Sequence, residues 1–489
     1  MIDFYRKIAL AIFAFCLVAQ AQGKGKKLRK PNVVVLFVDD MGWTDLGCFG
    51  SKFYETPNID ALAEDGVRFT NAYANCTVCS PSRASMMTGK YPARLHLTDW
   101  IQGHSYLAKH SAKQVPDWTM KLDPKEKTVA EILKDEGYTT MHVGKWHLGE
   151  DETDWPEYHG FDHNVGGWSR GAPKGGYFSP YDNPRLKDGP KGEHLTDRLT
   201  DEAIKLIGEN KEKPFFLHFA FYAVHTPLQG KKDLVEKYKR VAKPEMPQRH
   251  PIYAAMVEAM DQNVGRLVEY LKQNGLYENT LIVFTSDNGG LVNRYQLHRN
   301  PNHTPTTNNL GLRSGKGDMY EGSVRVPMFV TWKGEVPSGK TTDQVAMTMD
   351  VKPTVLDFLG LKKKYKPEFK AMDGQSLRKT LIKGKTDDDR PVFWHYPHYH
   401  YQGAVPYGAV RSGDWKLVEI YEDGTTELYN LANDLEETHD LSASNPEKTA
   451  ELKVMLNDWR KEVKAQMPVD NPDFDPKKSN HLKYLELRK

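Results

Sequence analysis

Two adjacent carboxylates, Asp39 and Asp40, stand directly after an apolar run, N-V-V-V-L-F-V at 32–38. Side by side they repel each other unless a cation lies between them; the plainer reading is an Asp-Gly turn capping a helix. The arrangement recurs where the apolar run at 280–284 ends in S-D-N-G-G, placing Asp287 and Asn288 at its close. A third run, 139–143, ends in G-K-W-H-L-G, so Lys145 and His147 point to one side if the backbone stays extended. A fourth, 214–221, precedes His225. Lys316 lies in R-S-G-K-G. Cys79 opens the string C-S-P-S-R-A-S-M-M-T-G-K, with Arg83 four residues on.

The elements that must position these groups follow from the runs themselves. Continuous apolar, β-branched segments suit strands buried on both faces of a parallel sheet. Open α/β sheets place their sites at the carboxyl ends of such strands. If Cys79 opens a helix through Met87, the helix N-terminus offers N–H groups and a favourable dipole to an anion. Taken alone, Cys76-x-x-Cys79 also reads as a redox dithiol or half a zinc site, but no second C-x-x-C or C-x-x-H accompanies it.

The whole set, in order, resembles the formylglycine-dependent type I sulfatases of the alkaline-phosphatase-like superfamily, and among them exported bacterial carbohydrate sulfatases. The residues that carry the likeness are V-D-D-x-G at 38–42, the Cys79 string, G-K-W-H-L-G, D-N-G at 287–289 and the R-S-G-K … E-G-S-V-R-V-P stretch at 313–327. The resemblance implies that Cys79 is oxidised to formylglycine by a maturation enzyme, with Arg83 holding its hydrate. It implies metal ligation by Asp39, Asp40, Asp287, Asn288 and the residue at 79. Lys145 and Lys316 would contact sulfate, His147 the hydrate, and His225 the leaving oxygen. An all-oxygen donor set favours Ca2+, with Mg2+ second. The implied substrate is a sulfated polysaccharide or its oligosaccharides, such as ulvan, carrageenan or a glycosaminoglycan. A phosphodiesterase or phosphonate hydrolase of the same superfold, and a non-catalytic sulfated-glycan binder, are the alternatives.

The implied fold is α/β: a large, mostly parallel central sheet flanked by helices, with a smaller C-terminal antiparallel sheet plus helix. Helices are expected at 128–136, 199–207 and 253–271. Strands at 391–396, 408–412, 415–421 and 426–430, then an amphipathic helix at 448–464, make up the second unit. The division is 31–372 for the catalytic domain and 373–467 for the C-terminal subdomain, with 360–373 as linker and 468–489 as an extended tail. Residues 98–120 read as an insertion near the site mouth, where Trp100 and His104 are packing or surface residues. Residues 150–195, rich in Gly, Pro, Asp and aromatics, read as a loop that shapes substrate entry. His395, His398 and His400 in W-H-Y-P-H-Y-H are placed on a loop over the mouth, in contact with sugar.

A formal net charge of +2, with no basic helix, argues against nucleic acid as a partner. The basic run at 362–370 reads as a solvated loop. Arg6 and Lys7 precede an apolar stretch at 8–19 and A-Q-A at 19–21, which reads as a signal peptide (1–21) followed by a basic arm (22–30). The chain is expected to be exported, in a periplasm or secreted, with no membrane span. Cys48 and Cys76 are then a disulfide or two reduced buried thiols.

Overall fold

The computed structural model describes residues 30–103, 105–293, 303–387 and 389–479. Its centre is an eight-stranded sheet. The strands, in chain order, are β1 (Asn32–Val38), β2 (Gly66–Phe69), β3 (Ala72–Tyr73), β4 (Lys113–Gln114), β5 (Thr139–Gly144), β6 (His163–Val165), β7 (Phe215–Ala220), β8 (Thr280–Ser286), β9 (Met328–Thr331), β10 (Lys340–Thr342) and β11 (Ala346–Met347). The main sheet runs β10-β2-β9-β8-β1-β7-β5-β6. Every neighbouring pair is parallel except the two that β9 makes. The β3 and β11 strands pair separately.

β1 is buried along its whole length because both its faces are covered. Val34, Leu36 and Val38 join one core with the helices Pro57–Glu64, Leu195–Asn210 and Pro251–Gln273. Val33, Val35 and Phe37 join the opposite core with the helices Cys79–Thr88, Val129–Asp135 and Val351–Phe358. The alternation of strand side chains thus splits one apolar run between two layers. Thr128 starts its helix with a reciprocal cap: its Oγ1 accepts from Glu131 N while Glu131 accepts from Thr128 N.

The C-terminal unit is an antiparallel meander of β12 (Val392–Tyr396), β13 (Tyr407–Ser412), β14 (Trp415–Ile420) and β15 (Thr426–Asn430), covered by the helix Pro446–Val463. It shares a core with the part that carries the main sheet: Trp394 packs edge-on against Tyr73, and its Nε1 donates to Ala74 O at 2.9 Å. Lys416 of β14 is fully buried between Glu321, at 3.0 Å, and Glu437, at 2.8 Å.

Two expectations change, and one open alternative is decided. The linker at 360–373 contains a helix, Lys366–Ala371, with Pro367 in its first turn. Cys48 and Cys76 are both free thiols; Cys48 packs against one core layer and Cys76 lies in the core shared with the C-terminal unit. His395 belongs to β12 rather than to a loop. Residues 105–114 carry a short helix and β4, which pairs with a last strand, β16 (Val469–Asp470), so this part of the terminal segment lies against the insertion. Among the described residues no helix is long and apolar enough to cross a membrane. The expected signal peptide and His104 lie outside the described residues.

Candidate active site

The carboxyl ends of β1, β7 and β8 are stitched together by backbone bonds. Asp39 N donates to Ala223 O at 3.1 Å, Val224 N to Asp39 O at 2.8 Å, and Asp287 N to Val38 O at 3.1 Å. Asp40 turns away with φ of 59°, a left-handed conformation that costs a non-glycine residue energy. Its N–H donates to Asp287 Oδ1 at 3.1 Å, and Asn288 Nδ2 donates to Asp40 Oδ1 at 2.8 Å. The predicted acidic pair and the D-N pair therefore meet.

Cys79 is the first residue of its helix, as the string implied, after an extended Val78. Ser82 fixes the approach: its Oγ accepts from Cys76 N and donates to Cys76 O. Arg83, one turn in, is buried, and its Nε and Nη2 both donate to Asp287 Oδ2, at 2.9 and 2.7 Å. Nη1 donates to Lys145 O at 3.1 Å. Arg83 therefore ties the β8 and β5 ends to the catalytic helix.

Both lysines arrive. Lys145 Nζ lies 2.9 and 2.8 Å from the two oxygens of Asp39, with both side chains fully buried. Lys316 Nζ lies 2.7 Å from Asp40 Oδ1 and 3.3 Å from Cys79 Sγ. Burial drives the Asp39 carboxyl up to about 8 against the pull of Lys145, with the charge of Asp287 adding to the rise. For Asp40 burial acts upward too, but Lys316, His225 and Lys145 together hold its carboxyl low. Burial also lifts the Cys79 thiol to about 11, although both lysines oppose this. An unmodified Cys79 is thus a protonated thiol near neutral pH and a poor nucleophile.

The two histidines are fixed by carbonyls. His147 (φ 60°) uses Nε2 toward Ile101 O at 2.5 Å, so that nitrogen carries the proton and the buried Nδ1 is left without a partner. Its ring presses on Gly171, where a Cβ would come within 2.4 Å of Cε1, so only glycine fits there. His225 Nδ1 donates to Thr226 O at 2.7 Å, which leaves Nε2 facing Asp40 Oδ2 at 3.6 Å. Burial first and Lys316 second push the His225 imidazole down to about 3, against Asp40.

Ligand atoms of Asp39, Asp40, Cys79 and His225 all lie within 4.8 Å of one another. Asn288 Oδ1 is buried with no hydrogen-bond partner. An orphaned amide oxygen beside the converging carboxylates of Asp39 and Asp40, with Asp287 hydrogen-bonded behind them, fits a hard, oxygen-seeking cation.

Cys79, His147, His225 and Lys316 line a cavity of about 560 Å3. Its outer wall is Trp100, Gln102, Arg170, Lys174, His400 and Tyr401. The 150–195 loop supplies Arg170 and Lys174, as its reading as an entry-shaping segment expected. Trp100 lines the cavity although its sequence context pointed to packing. The histidine cluster divides. His395 is buried between Tyr421 Oη and Gln466 O, and His398 is buried with Thr98 Oγ1 at 2.8 Å, so neither lines the cavity. Only His400 of the three lines the cavity.

Residues 31–361 match the family model described as Sulfatase, and residues 315–466 match the N-sulphoglucosamine sulphohydrolase C-terminal model. The chain belongs to the sulfatase family. It is a sulfuric ester hydrolase built on the alkaline-phosphatase-like fold. A sulfatase of Formosa agariphila is 33% identical, across 94% of this chain and 93% of that one. The mouse N-acetylgalactosamine-6-sulfatase is 32% identical, across 81% of this chain and 74% of its own length. The crystal structure of Ps i-CgsB in complex with k-i-k-neocarrahexaose is 30% identical with a TM-score of 0.73, covering 88% of this chain and 93% of that one.

Proposed function

We propose that this sulfatase hydrolyses sulfate esters on a sulfated polysaccharide or its oligosaccharides, after oxidation of Cys79 to formylglycine and with Ca2+ held by Asp39, Asp40, Asp287 and Asn288. The observation that carries this reading is the placement of Cys79 at a helix N-terminus, 3.3 Å from Lys316, on the floor of a half-enclosed cavity walled by aromatic and cationic side chains. The 32% identical N-acetylgalactosamine-6-sulfatase and the complex with k-i-k-neocarrahexaose support a carbohydrate substrate.

An aldehyde hydrate at position 79 would supply the oxygen nucleophile, and a cation held by Asp39, Asp40, Asp287 and Asn288 would lower its pKa and neutralise sulfate charge. The chain's own residues do the rest. Lys316 presents its ammonium group to the sulfate oxygens from the cavity wall, Lys145 adds positive charge from beneath against Asp39, and the helix N-terminus adds N–H donors. Arg83 holds Asp287 and the Lys145 backbone in register. His147, with Nδ1 bare, is poised to accept a proton from the group at 79. His225 Nε2 takes the leaving-group side; a sulfate brought beside it raises its proton affinity, countering the Lys316 repulsion. Trp100 and Tyr401 offer faces for a sugar ring, and Arg170 and Lys174 offer charge at the rim. We further propose that the protein is exported by its 1–21 segment, that 31–372 and 373–467 are its two units, and that a maturation enzyme acts on it during synthesis.

The test is mass spectrometry of the tryptic peptide 69–83 from protein made in a host with the maturation machinery, followed by a panel of sulfated glycans and phosphate esters. An aldehyde mass at Cys79 with sulfate release from a glycan supports the reading. An unmodified thiol without sulfatase turnover, or faster phosphate-ester than sulfate-ester turnover, overturns it.

A further inference from the structure

Beyond the far end of the catalytic helix lies a second charged surface. The ten-residue helix Cys79–Thr88 spans about 15 Å. Its C-cap carbonyl, Gly89 O, accepts from Asp373 N and Gly374 N, both at 2.9 Å. Gly374 starts one wall of a groove of about 660 Å3. Five lysines line it: Lys362, Lys366, Lys370, Lys379 and Lys385. All five are exposed. Among the described residues none of them is in an ion pair, whereas the adjacent Lys364 is paired with Glu136 at 2.5 Å. Arg390 also lines the groove, but it is buried and neutralised by Asp350, at 2.6 and 2.8 Å. Two carboxylates, Asp357 and Asp387, face five ammonium groups; Asp357 is already engaged by Ser376 Oγ at 2.6 Å.

The groove continues. Thr380 and Thr386 also belong to a neighbouring depression of about 610 Å3, which adds Lys340 of the edge strand β10, Lys383 at the end of the helix Arg378–Lys383, and one carboxylate, Asp343. Phe369 provides an apolar patch in the first depression, with Lys362 Nζ 5.7 Å from its ring centre. A chain with a net charge of only +2 thus concentrates unpaired positive charge along one elongated track. Such a track attracts polyanions, most strongly at low salt.

We propose that this lysine groove is a second binding site, remote from the cavity, that holds another stretch of the same sulfated polysaccharide. The assignment of the ligand class rests on the sulfated-glycan reading of the catalytic site. The groove adds affinity only for substrates long enough to reach it, by making attachment at the cavity an intramolecular event. Its contribution is electrostatic and falls with salt.

The experiment measures binding of the full chain carrying Cys79→Ala, which does not turn over, to chondroitin 6-sulfate and carrageenan across a salt series. A sulfated disaccharide in excess keeps the cavity filled. The comparison protein adds Lys366→Gln, Lys370→Gln and Lys379→Gln, with Lys370→Glu/Lys379→Glu as a second variant. The expected result is about a tenfold or greater loss of polymer affinity at low salt and a salt slope shallower by about two. Disaccharide affinity and unfolding temperature stay unchanged. Equal polymer affinity in the variants overturns the proposal. So does binding of duplex DNA or polyglutamate by the parent as tight as that of the sulfated polymers, which would make the groove a general polyanion surface. Turnover is measured separately on mature protein with the three glutamines; a failure of the catalytic reading shows there as absent sulfate release, and leaves the binding result readable.

Discussion

Arg83 and Asp287 are joined by two hydrogen bonds to a single carboxylate oxygen, which leaves Asp287 Oδ1 to accept from Asp40 N. The arginine therefore acts on the acidic cluster through Asp287, beneath the cavity rather than within its wall. A lysine in its place keeps the charge but loses the fork and the bond to Lys145 O. Arg83→Lys is expected to lower calcium affinity and activity by about 10–100-fold, the usual cost of losing an orienting partner. Calorimetric titration with Ca2+ alongside kcat/KM checks this. A variant with unchanged calcium affinity would show that Asp287 needs no such support.

The acidic cluster itself predicts a response to chelation. Asp39, Asp40 and Asp287 are buried together, and burial raises the Asp39 carboxyl even with Lys145 alongside. A cation that binds only the folded form stabilises it, by about 2.7 kcal/mol at a hundredfold excess over Kd. EDTA is expected to lower the unfolding temperature and abolish turnover, and Ca2+ to restore both. Zn2+ at equal concentration is expected to restore neither, because the donor set favours a harder ion. Retained activity in EDTA with full metal depletion would remove the cation from the reading.

Asp39, Asp40, Lys145, His147, His225, Asp287 and Asn288 were legible because they follow central strands, whereas Cys79, Arg83 and Lys316 were legible only through the strings that carry them. The strands that precede Asp39, Lys145, His225 and Asp287 are almost wholly buried and largely apolar, and the β-sheet geometry that buries them also gathers their ends. The cavity wall was not legible in that way. Arg170 and Trp100 sit in irregular segments with no period, so the sequence places them only by folding around a site it does not announce. His395 misleads for the opposite reason. Its polar neighbours suggest a surface loop, yet it lies in β12 and satisfies both ring nitrogens internally. β10, K-T-T on the sheet edge, has no apolar signature because one side of it faces solvent.

His225 predicts a dependence on the leaving group. Its Nδ1 is committed to Thr226 O, so only Nε2 can serve the departing oxygen. A sugar alkoxide needs that help far more than a nitrophenolate does. His225→Ala is expected to reduce kcat on a sugar sulfate by about 10²–10⁴-fold and on 4-nitrophenyl sulfate much less. Equal losses on the two substrates would place His225 in binding or nucleophile activation instead.

Arg170 stands exposed at the cavity rim, in no ion pair among the described residues, with Lys174 further along the same loop already paired to Asp182 at 2.8 Å. If the sugar carries a second anionic group, Arg170 is the cation free to meet it. Arg170→Ala is expected to raise KM about tenfold for a disulfated or uronate-bearing oligosaccharide, since a charged hydrogen bond is worth about 1.5–3 kcal/mol. A monosulfated neutral sugar should show little change. Steady-state kinetics on the matched pair decides, and an equal KM rise on both would show Arg170 contacting the common sugar ring.

Lys352 predicts an alkaline stability signature away from the chemistry. Its Nζ is buried at the end of the catalytic helix, donating to Thr88 O at 3.1 Å and Lys127 O at 2.6 Å. Burial pulls its pKa from 10.5 down to about 8, with Glu368 recovering part of the loss. Between those two pH values the unfolded chain still holds the proton while the folded chain has released it. The unfolded state then binds more protons, so this group makes the fold more stable as pH rises from about 8 toward 10.5. Lys352→Met has no such titration and leaves two carbonyls without a donor. The stability of the parent relative to Lys352→Met is therefore expected to grow across that window, measured by urea unfolding at fixed ionic strength. A difference that stays flat with pH would mean that the ammonium is solvated in solution.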